Sequence, residues 1–222
     1  MILISTRDSR MGVPASKAVL MGIAPDGGLF VPLTFPQVSI EQDEPYPALA
    51  ARVLAQFFDD LPELDKLTQE AYRSFDDPRV APVVKTADGE YVMELWHGPT
   101  LAFKDMALSV LPRLLTASMR VHGGRDVLIL VATSGDTGKA ALEGFCDVPH
   151  TRIVVFYPSD GVSDMQKLQM VTQGGDNTQV VAVKGNFDDA QNGVKAMFAD
   201  ESFVAAVAEK GYSLSSANSI NF

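Results

Sequence analysis

Length, composition and charge restrict what this protein can be. The chain has 222 residues, of which 46% are apolar and 21% are charged, a balance typical of a folded globular protein. Its 28 acidic residues outnumber its 18 basic residues and give a net charge of −10, which disfavours binding to the polyanionic backbone of nucleic acid. No apolar stretch approaches the roughly 18 residues of a membrane span. We therefore expect a soluble protein with neither nucleic-acid nor membrane partners.

The single cysteine, Cys146, indicates the compartment. One cysteine cannot form an intrachain disulfide, and this usage is typical of a reducing cytoplasm. We predict that Cys146 is a small buried apolar residue rather than a catalytic thiol.

The first hundred residues predict a mixed α+β module interrupted by prolines. Apolar runs and turn residues give two short strands with a helix between them, two amphipathic helices, and a hairpin around Asp88-Gly89. The predicted ranges are Ile2–Ser5, Ser16–Gly22, Leu29–Val31, Pro47–Phe58, Pro62–Phe75, Val83–Thr86 and Tyr91–Leu95.

From residue 104 the pattern predicts an α/β lobe. A long helix over Lys104–His122 has a kink at Pro112. Three apolar strands then alternate with helices, which favours right-handed crossovers and a doubly wound parallel sheet. The predicted strands are Asp126–Ala132, Arg152–Tyr157 and Gln179–Val183, and the helices are Thr137–Phe145, Ser163–Thr172 and Asp188–Asp200.

Two strand-to-helix turns carry chemistry, because ligands bind at the carboxyl ends of parallel strands. The first turn contains Ser134, Gly135, Asp136 and Thr137, and it directs N–H and hydroxyl donors towards one point, as an anion site requires. It is not a nucleotide P-loop, because the glycine spacing is too short and Ala140 stands where a magnesium-binding hydroxyl is needed. A simple capped turn is the alternative.

The second turn contains Gly185, Asn186, Phe187 and Asp188. Gly185 permits a close backbone approach, and we predict that Asp188 caps the following helix with Gln191 as its reciprocal partner. An anion bound beside these acidic residues must be held mainly by backbone N–H groups. The pattern alone fits a helix cap as well as a ligand cradle.

Lys104 follows an aromatic-rich segment at the start of the long helix. A lysine nucleophile must be neutral when it attacks an aldehyde, and a helix N-terminus contributes only about 0.3–1 kcal/mol towards this. A solvated surface lysine is the alternative. His97, seven positions earlier, is interpreted as a hydrogen-bonded structural residue rather than a base.

Together these segments resemble one family. The chain contains the strings ELWHGPTLAFKD, ATSGDTG and KGNFDDAQ in this order, residues 4–32 resemble the family's N-terminal segment, and the chain ends on SANSINF. This combination is similar to the threonine synthases, pyridoxal-phosphate (PLP) enzymes of fold-type II. Asp136 in the SGDTG string favours that branch over cysteine-synthase relatives, which usually carry Asn. Trp96 departs from the family's Phe.

The resemblance implies a lyase of threonine biosynthesis that converts O-phosphohomoserine and water to threonine and phosphate. Lys104 would be the Schiff-base lysine and proton shuttle, and Gly185, Asn186, Phe187 and Asp188 would bind the PLP phosphate. Ser134, Gly135, Asp136 and Thr137 would face the substrate, and no metal is implied. The alternatives are a related PLP lyase, such as a threonine dehydratase or phospho-amino-acid lyase, and a catalytically incomplete fragment that acts only as a phosphate-ligand or interaction module.

The resemblance also implies a domain division. Residues 1–100 would form the N-terminal module and residues 101–222 the PLP-binding lobe. Family members continue beyond the SANSINF string with much of the large domain, including the residue that contacts the cofactor ring nitrogen. We therefore expect an N-terminal fragment with an exposed apolar face near Ser215–Phe222 and beside Lys104, which another copy of the chain would cover.

Overall fold

The computed structural model describes residues 1–41, 43–133 and 135–217. The chain separates into two compact units, Met1–Val121 and His122–Phe222. The long helix that precedes the Gly123-Gly124 pair thus belongs to the first unit. The functional division into residues 1–100 and 101–222 stays a prediction.

The N-terminal unit contains β1 (Ile2–Ser5), β2 (Gly12–Pro14), α1 (Ala15–Met21), β3 (Phe30–Pro32), α2 (Tyr46–Ala55), α3 (Leu64–Tyr72), β4 (Val83–Ala87) and β5 (Glu90–Met93). The first three strands form a small antiparallel sheet in the order β2-β1-β3, and the short helix α1 is capped by Gly22. The two helices α2 and α3, each shorter than predicted, and the hairpin of β4 and β5 follow.

The core of this unit is built by the apolar faces of α2 and α3 together with residues after position 105. Tyr72 stands at its centre and contacts Tyr46 and Phe75 edge-on, with ring centroids 5.0 and 5.4 Å apart. Such contacts add to the stabilisation from burial. The buried members are Ala51, Leu61, Leu64, Leu67, Ala71, Tyr72, Phe75, Val80, Val110 and Leu114.

The predicted kinked helix is two separate helices, α4 (Asp105–Leu108) and α5 (Leu111–His122). Pro112 explains the break, because it has no N–H for the carbonyl of Leu108 and its ring would collide with that carbonyl. Pro112 instead lies in the first turn of α5, where its missing N–H costs nothing. Lys104 therefore precedes a helix of one turn.

The C-terminal unit confirms the predicted α/β fold. Its described elements are β6 (Asp126–Ala132), α6 (Asp136–Phe145), β7 (Thr151–Pro158), α7 (Asp164–Val171), β8 (Thr178–Val183), α8 (Phe187–Ala199), α9 (Glu201–Glu209) and β9 (Tyr212–Ser215). These four strands are parallel, in the order β8-β7-β6-β9. Neither α9 nor β9 was predicted from the sequence.

Helices cover both faces of this sheet. Leu130 of β6 packs with Ala190 and Val194 of α8, and Phe156 of β7 joins the same cluster. Val155 points to the opposite face because side chains alternate along a strand. There it meets α6, since a Cβ built on Gly138 would lie 3.0 Å from Cγ1 of Val155. Because β6, β7 and β8 run parallel, the loops after them lie along one edge of the sheet.

The start of α8 corrects a second prediction. Asp188 does not cap the helix, and Gln191 is not its partner. Asn186 is the N-cap residue, and its reciprocal partner is Asp189. A capping box between Ser163 and Gln166 opens α7.

Among the described residues, no helix combines the length and the apolar character that a membrane crossing needs.

Candidate functional site

Lys104 is the N-cap residue of α4 in the N-terminal unit. Its side chain is half-buried, and Nζ lies 4.5 Å from the centroid of the Phe103 ring, within cation–π range. This contact is weak, so an incoming carbonyl group can displace it from the amine.

The segment before Lys104 is fixed by the next residue, Asp105. Its side chain is buried, at 2% exposure, and it accepts hydrogen bonds from the Thr100 backbone N–H (2.8 Å) and the Thr100 Oγ1 (2.6 Å). Gly98 permits this closure, because a Cβ there would collide with Oδ2 of Asp105. The glycine and the threonine of the ELWHGPTLAFKD string thus hold the backbone that carries Lys104.

His97 anchors the other end of the same segment. Its Nδ1 lies 2.6 Å from Oδ1 of Asp76 and its Nε2 lies 2.8 Å from Oε2 of Glu94. Glu94, and then Asp76, raise the pKa of the imidazole, because both carboxylates accept hydrogen bonds from its charged form. With both ring nitrogens engaged, His97 has the structural role that the sequence favours.

The loop after β6 is organised by Thr133, which the sequence analysis did not single out. Its Oγ1 accepts the backbone N–H groups of Gly135 and Gly138, each at 3.0 Å. Helix geometry leaves the N–H groups of Asp136 and Thr137 without intrahelical partners, because they belong to the first turn of α6. The described part of the loop thus offers two donors to an anion. Ser134 lies outside the described residues.

The loop after β8 is closed by its capping box. Asn186 Oδ1 accepts the Asp189 N–H at 3.0 Å, and Asp189 Oδ2 accepts the Asn186 N–H at 2.8 Å. Gly185 has a φ of +140°, and a Cβ there would collide with Asp189. The N–H groups of Phe187 and Asp188 have no intrahelical partner, because they belong to the first turn of α8. The Asp189 carboxylate is held by the Asn186 N–H, so these two N–H groups can serve an anion.

These two loops lie at the same edge of the sheet, since each follows the carboxyl end of a parallel strand. The structure therefore brings together the described residues predicted to hold the cofactor phosphate and the substrate. Only β7 separates the two strands. Gln166, just beyond the loop after β7, donates through Nε2 to Oδ1 of Asp136 at 3.2 Å, a contact that no local sequence pattern signals.

Cys146 has the character of a structural thiol. It is half-buried, and its Sγ donates to the Gly174 carbonyl at 3.5 Å. Burial, and then the charge of Asp147, raise the pKa of the thiol, which disfavours the reactive thiolate. Among the described residues, no cluster of three His, Cys, Asp or Glu side chains could hold a metal ion.

Large apolar side chains in the segment that leads to Lys104 are exposed: Leu101 is 69% exposed and Phe103 is 56% exposed. At the other predicted part of the apolar face, the expected exposure is wrong for Ser215 and Ala217, which are buried, and residues 218–222 lie outside the described residues. The covering of this face by another copy stays a prediction.

Comparison with known proteins decides the family. The family described as threonine synthase N terminus matches residues 2–72. Threonine synthase from Pseudomonas aeruginosa is 42% identical over 227 residues, which cover 99% of this chain and 47% of that protein. The crystal structure of PLP-bound threonine synthase from Brucella melitensis is 40% identical, with a TM-score of 0.89 over 100% of this chain and 48% of that one.

The chain belongs to the threonine synthase family. It spans about half the length of the threonine synthases it matches. Human threonine synthase-like 1 is also related, with 37% identity over 93% of this chain and 30% of that protein. The family resemblance carried by the three sequence strings is thus confirmed over nearly the whole chain.

Proposed function

We propose that this chain contributes Lys104 and two anion-binding loops to a PLP-dependent threonine synthase, which converts O-phosphohomoserine and water to threonine and phosphate. The observation that carries the proposal is its match to threonine synthases over 99–100% of its length, one of them described as PLP-bound. The site chemistry of the described residues agrees with this reaction in three respects.

The first is the fit of the loop after β8 to the phosphate of PLP. A dianion needs N–H donors and no competing carboxylate. Gly185 leaves space where a Cβ would collide, and the capping box occupies the carboxylate of Asp189. The N–H groups of Phe187 and Asp188 would then bind the phosphate, with Asn186 fixing the start of the helix. Asp188 is exposed, so its carboxylate can remain in solvent.

The second is Lys104. Its amine would form the covalent bond to the cofactor. The contact of this amine with the Phe103 ring is weak and would be given up when the bond forms. When bound, PLP stabilises negative charge that develops on the substrate's α carbon. Lys104 would carry protons between the substrate carbons, a role that requires its amine to alternate between neutral and charged forms. The Asp105 and His97 hydrogen bonds would keep its backbone in place during this exchange.

The third is the loop after β6. O-phosphohomoserine carries a carboxylate and a phosphate, and the free N–H groups of Asp136 and Thr137 suit either anion. Gly135 would allow close approach of the ligand to the backbone, and Ser134 would add a hydroxyl donor. The whole chain has a net charge of −10, so local N–H donors and not overall charge must attract this substrate.

The proposal is tested by assaying the full-length protein to which this chain would contribute, with PLP and O-phosphohomoserine. We expect threonine and phosphate to form in equal amounts, and we expect Lys104→Ala to abolish both products. Lys66→Ala is the matched control, because Lys66 is an exposed lysine of α3 in the same unit. Equal activity of Lys104→Ala and Lys66→Ala would refute the assignment of Lys104.

A second candidate is a related PLP lyase, for example a threonine dehydratase or a phospho-amino-acid lyase. A protein named threonine synthase-like 1 is 37% identical to this chain, close to the 42% seen with a threonine synthase, so sequence identity alone does not separate the two reactions. Release of phosphate without threonine, or formation of a keto acid from threonine, would support the second candidate. A third candidate, a non-catalytic phosphate-ligand or interaction module, predicts ligand binding with no turnover.

Three further expectations belong to this proposal. Residues 1–100 would serve as the N-terminal module and residues 101–222 as the PLP-binding lobe of fold-type II. The protein would act in the cytoplasm. Its exposed apolar side chains beside Lys104 would be covered by another copy of the chain.

A further inference from the structure

The loop after β7 has no role in the function proposed above, yet it lies between the two loops that do. In the order β8-β7-β6, the strand β7 is flanked on both sides by strands that lead into those loops. The Ser159 N–H, just beyond β7, donates to the Val183 carbonyl at the end of β8, at 2.8 Å. This loop is therefore joined to the start of the loop after β8.

The same loop leads into α7, whose capping box fixes Gln166. The Gln166 N–H donates to Ser163 Oγ at 3.2 Å, and Gln166 Oε1 accepts the Ser163 N–H at 3.3 Å. The Oε1 atom faces a donor, so the other end of the amide must face an acceptor to be satisfied. It does so, because Nε2 donates to Oδ1 of Asp136. Reversing the amide would place like groups against each other at both ends.

Gln166 also packs on the backbone of the loop after β6. A Cβ built on Gly135 would collide with the Gln166 amide. On the other side, Gly135 donates its N–H to Thr133 Oγ1 at 3.0 Å. The Gly135 backbone is thus held between Thr133 and Gln166, and Asp136 is held by its side chain.

We propose that Gln166 is a positioning residue, which holds the Asp136 carboxylate away from the free N–H groups of α6 and keeps the loop after β6 ready for an anionic ligand. Gly135 is the N-cap of α6 and has no side chain that could cap it. An unrestrained Asp136 carboxylate could approach those N–H groups itself and repel the ligand. This inference rests on the proposed function, because it assigns a role in binding the substrate's anionic group.

The test uses Gln166→Glu in the full chain. Glutamate keeps the acceptor that the capping box needs, but it replaces the Nε2 donor with a second carboxylate facing Asp136. We expect amide hydrogen exchange at Gly135 to accelerate about two- to tenfold, in line with the loss of one hydrogen bond. Exchange in β6 serves as the reference in the same spectra and should not change.

Two further variants separate positioning from capping. Ser163→Ala removes the cap of α7 but keeps the Gln166 amide, so exchange at Gly135 should stay as in the wild type. Adding Asp136→Asn to Gln166→Glu restores a donor and an acceptor with reversed polarity, and exchange should return towards the wild-type rate. No acceleration in Gln166→Glu, an equal acceleration in Ser163→Ala, or no rescue in the double variant would overturn the inference.

Ligand binding is measured separately with inorganic phosphate as the probe, by amide chemical shifts at Asp136 and Thr137. We expect Gln166→Glu to weaken phosphate binding several-fold and the double variant to recover it. If the wild-type chain binds no phosphate at these amides, the role proposed for the loop fails and Gln166 cannot position it for an anion. If phosphate binds but turnover of O-phosphohomoserine is lacking, the reaction fails while the inference on Gln166 stands.

Discussion

Gly185 and Gly193 lie eight residues apart, and changing each to alanine should have opposite effects on stability. Gly185 has a φ of +140°, where a side chain is strained by about 1–3 kcal/mol. The new Cβ would also collide with Asp189 and break a capping box, whose loss costs about 0.5–2 kcal/mol. We expect Gly185→Ala to destabilise the C-terminal unit by about 2–4 kcal/mol.

Gly193 provides the matched control in α8 itself. It is exposed, and a Cβ there would meet no atom within 4 Å. Glycine inside a helix is less favourable than alanine by about 0.5–1 kcal/mol, so Gly193→Ala should stabilise the unit by that amount. The two variants thus separate the special geometry of the loop from the general effect of adding a methyl group.

Urea unfolding, followed through amide signals of the central strands, measures both effects. With a typical urea dependence of about 1–3 kcal/mol per molar, the unfolding midpoint of Gly185→Ala should fall by roughly 1 M or more, while that of Gly193→Ala should rise. PLP should also bind more weakly to Gly185→Ala alone. A Gly185→Ala variant that is as stable as the wild type would refute the argument from its backbone geometry.

Three other substitutions test the hydrogen bonds around the site. Glu94 and Asp76 raise the pKa of His97, so the charged imidazole should stabilise the fold fully below about pH 6.5 and lose this effect as pH rises through the raised pKa. His97→Gln should remove that part of the pH dependence of the urea midpoint, and an unchanged pH profile would contradict the assignment. Thr133→Val leaves two buried N–H groups without their acceptor and should cost about 1–3 kcal/mol in urea unfolding, whereas a cost near zero would show that water replaces the hydroxyl. Asn186→Ala should cost about 1 kcal/mol, and no loss would mean that the capping box does not form in solution.

The sequence predicted the central strands of the C-terminal unit well, because long apolar, β-branched runs are typical of strands that are buried on both faces of a parallel sheet. It missed β9, a strand of only four residues at the edge of the sheet, where the partner strand and not the local pattern decides the conformation. It also missed α9, where six consecutive apolar residues, FVAAVA, show no helical spacing of apolar and polar positions.

Local rules were least reliable where two residues compete for one role. Asp188 and Asn186 can both cap α8, and in the structure Asn186 does so, with Asp189 as its reciprocal partner. Pro112 could kink a helix or begin a new one, and the structure has the second outcome. Gln166 donates to Asp136, thirty residues away in sequence, and a contact between residues so far apart produces no periodic pattern in the sequence.

The central claim is that Lys104 holds PLP. The most direct measurement is to incubate the chain with PLP, reduce with borohydride, and map the modified lysine by peptide mass spectrometry. We predict that modification saturates at low PLP concentration on Lys104, with far less on Lys66 or any other lysine, and that Gly185→Ala shifts this saturation to higher concentration. Modification spread evenly over the exposed lysines, with no preference for Lys104, would contradict the account.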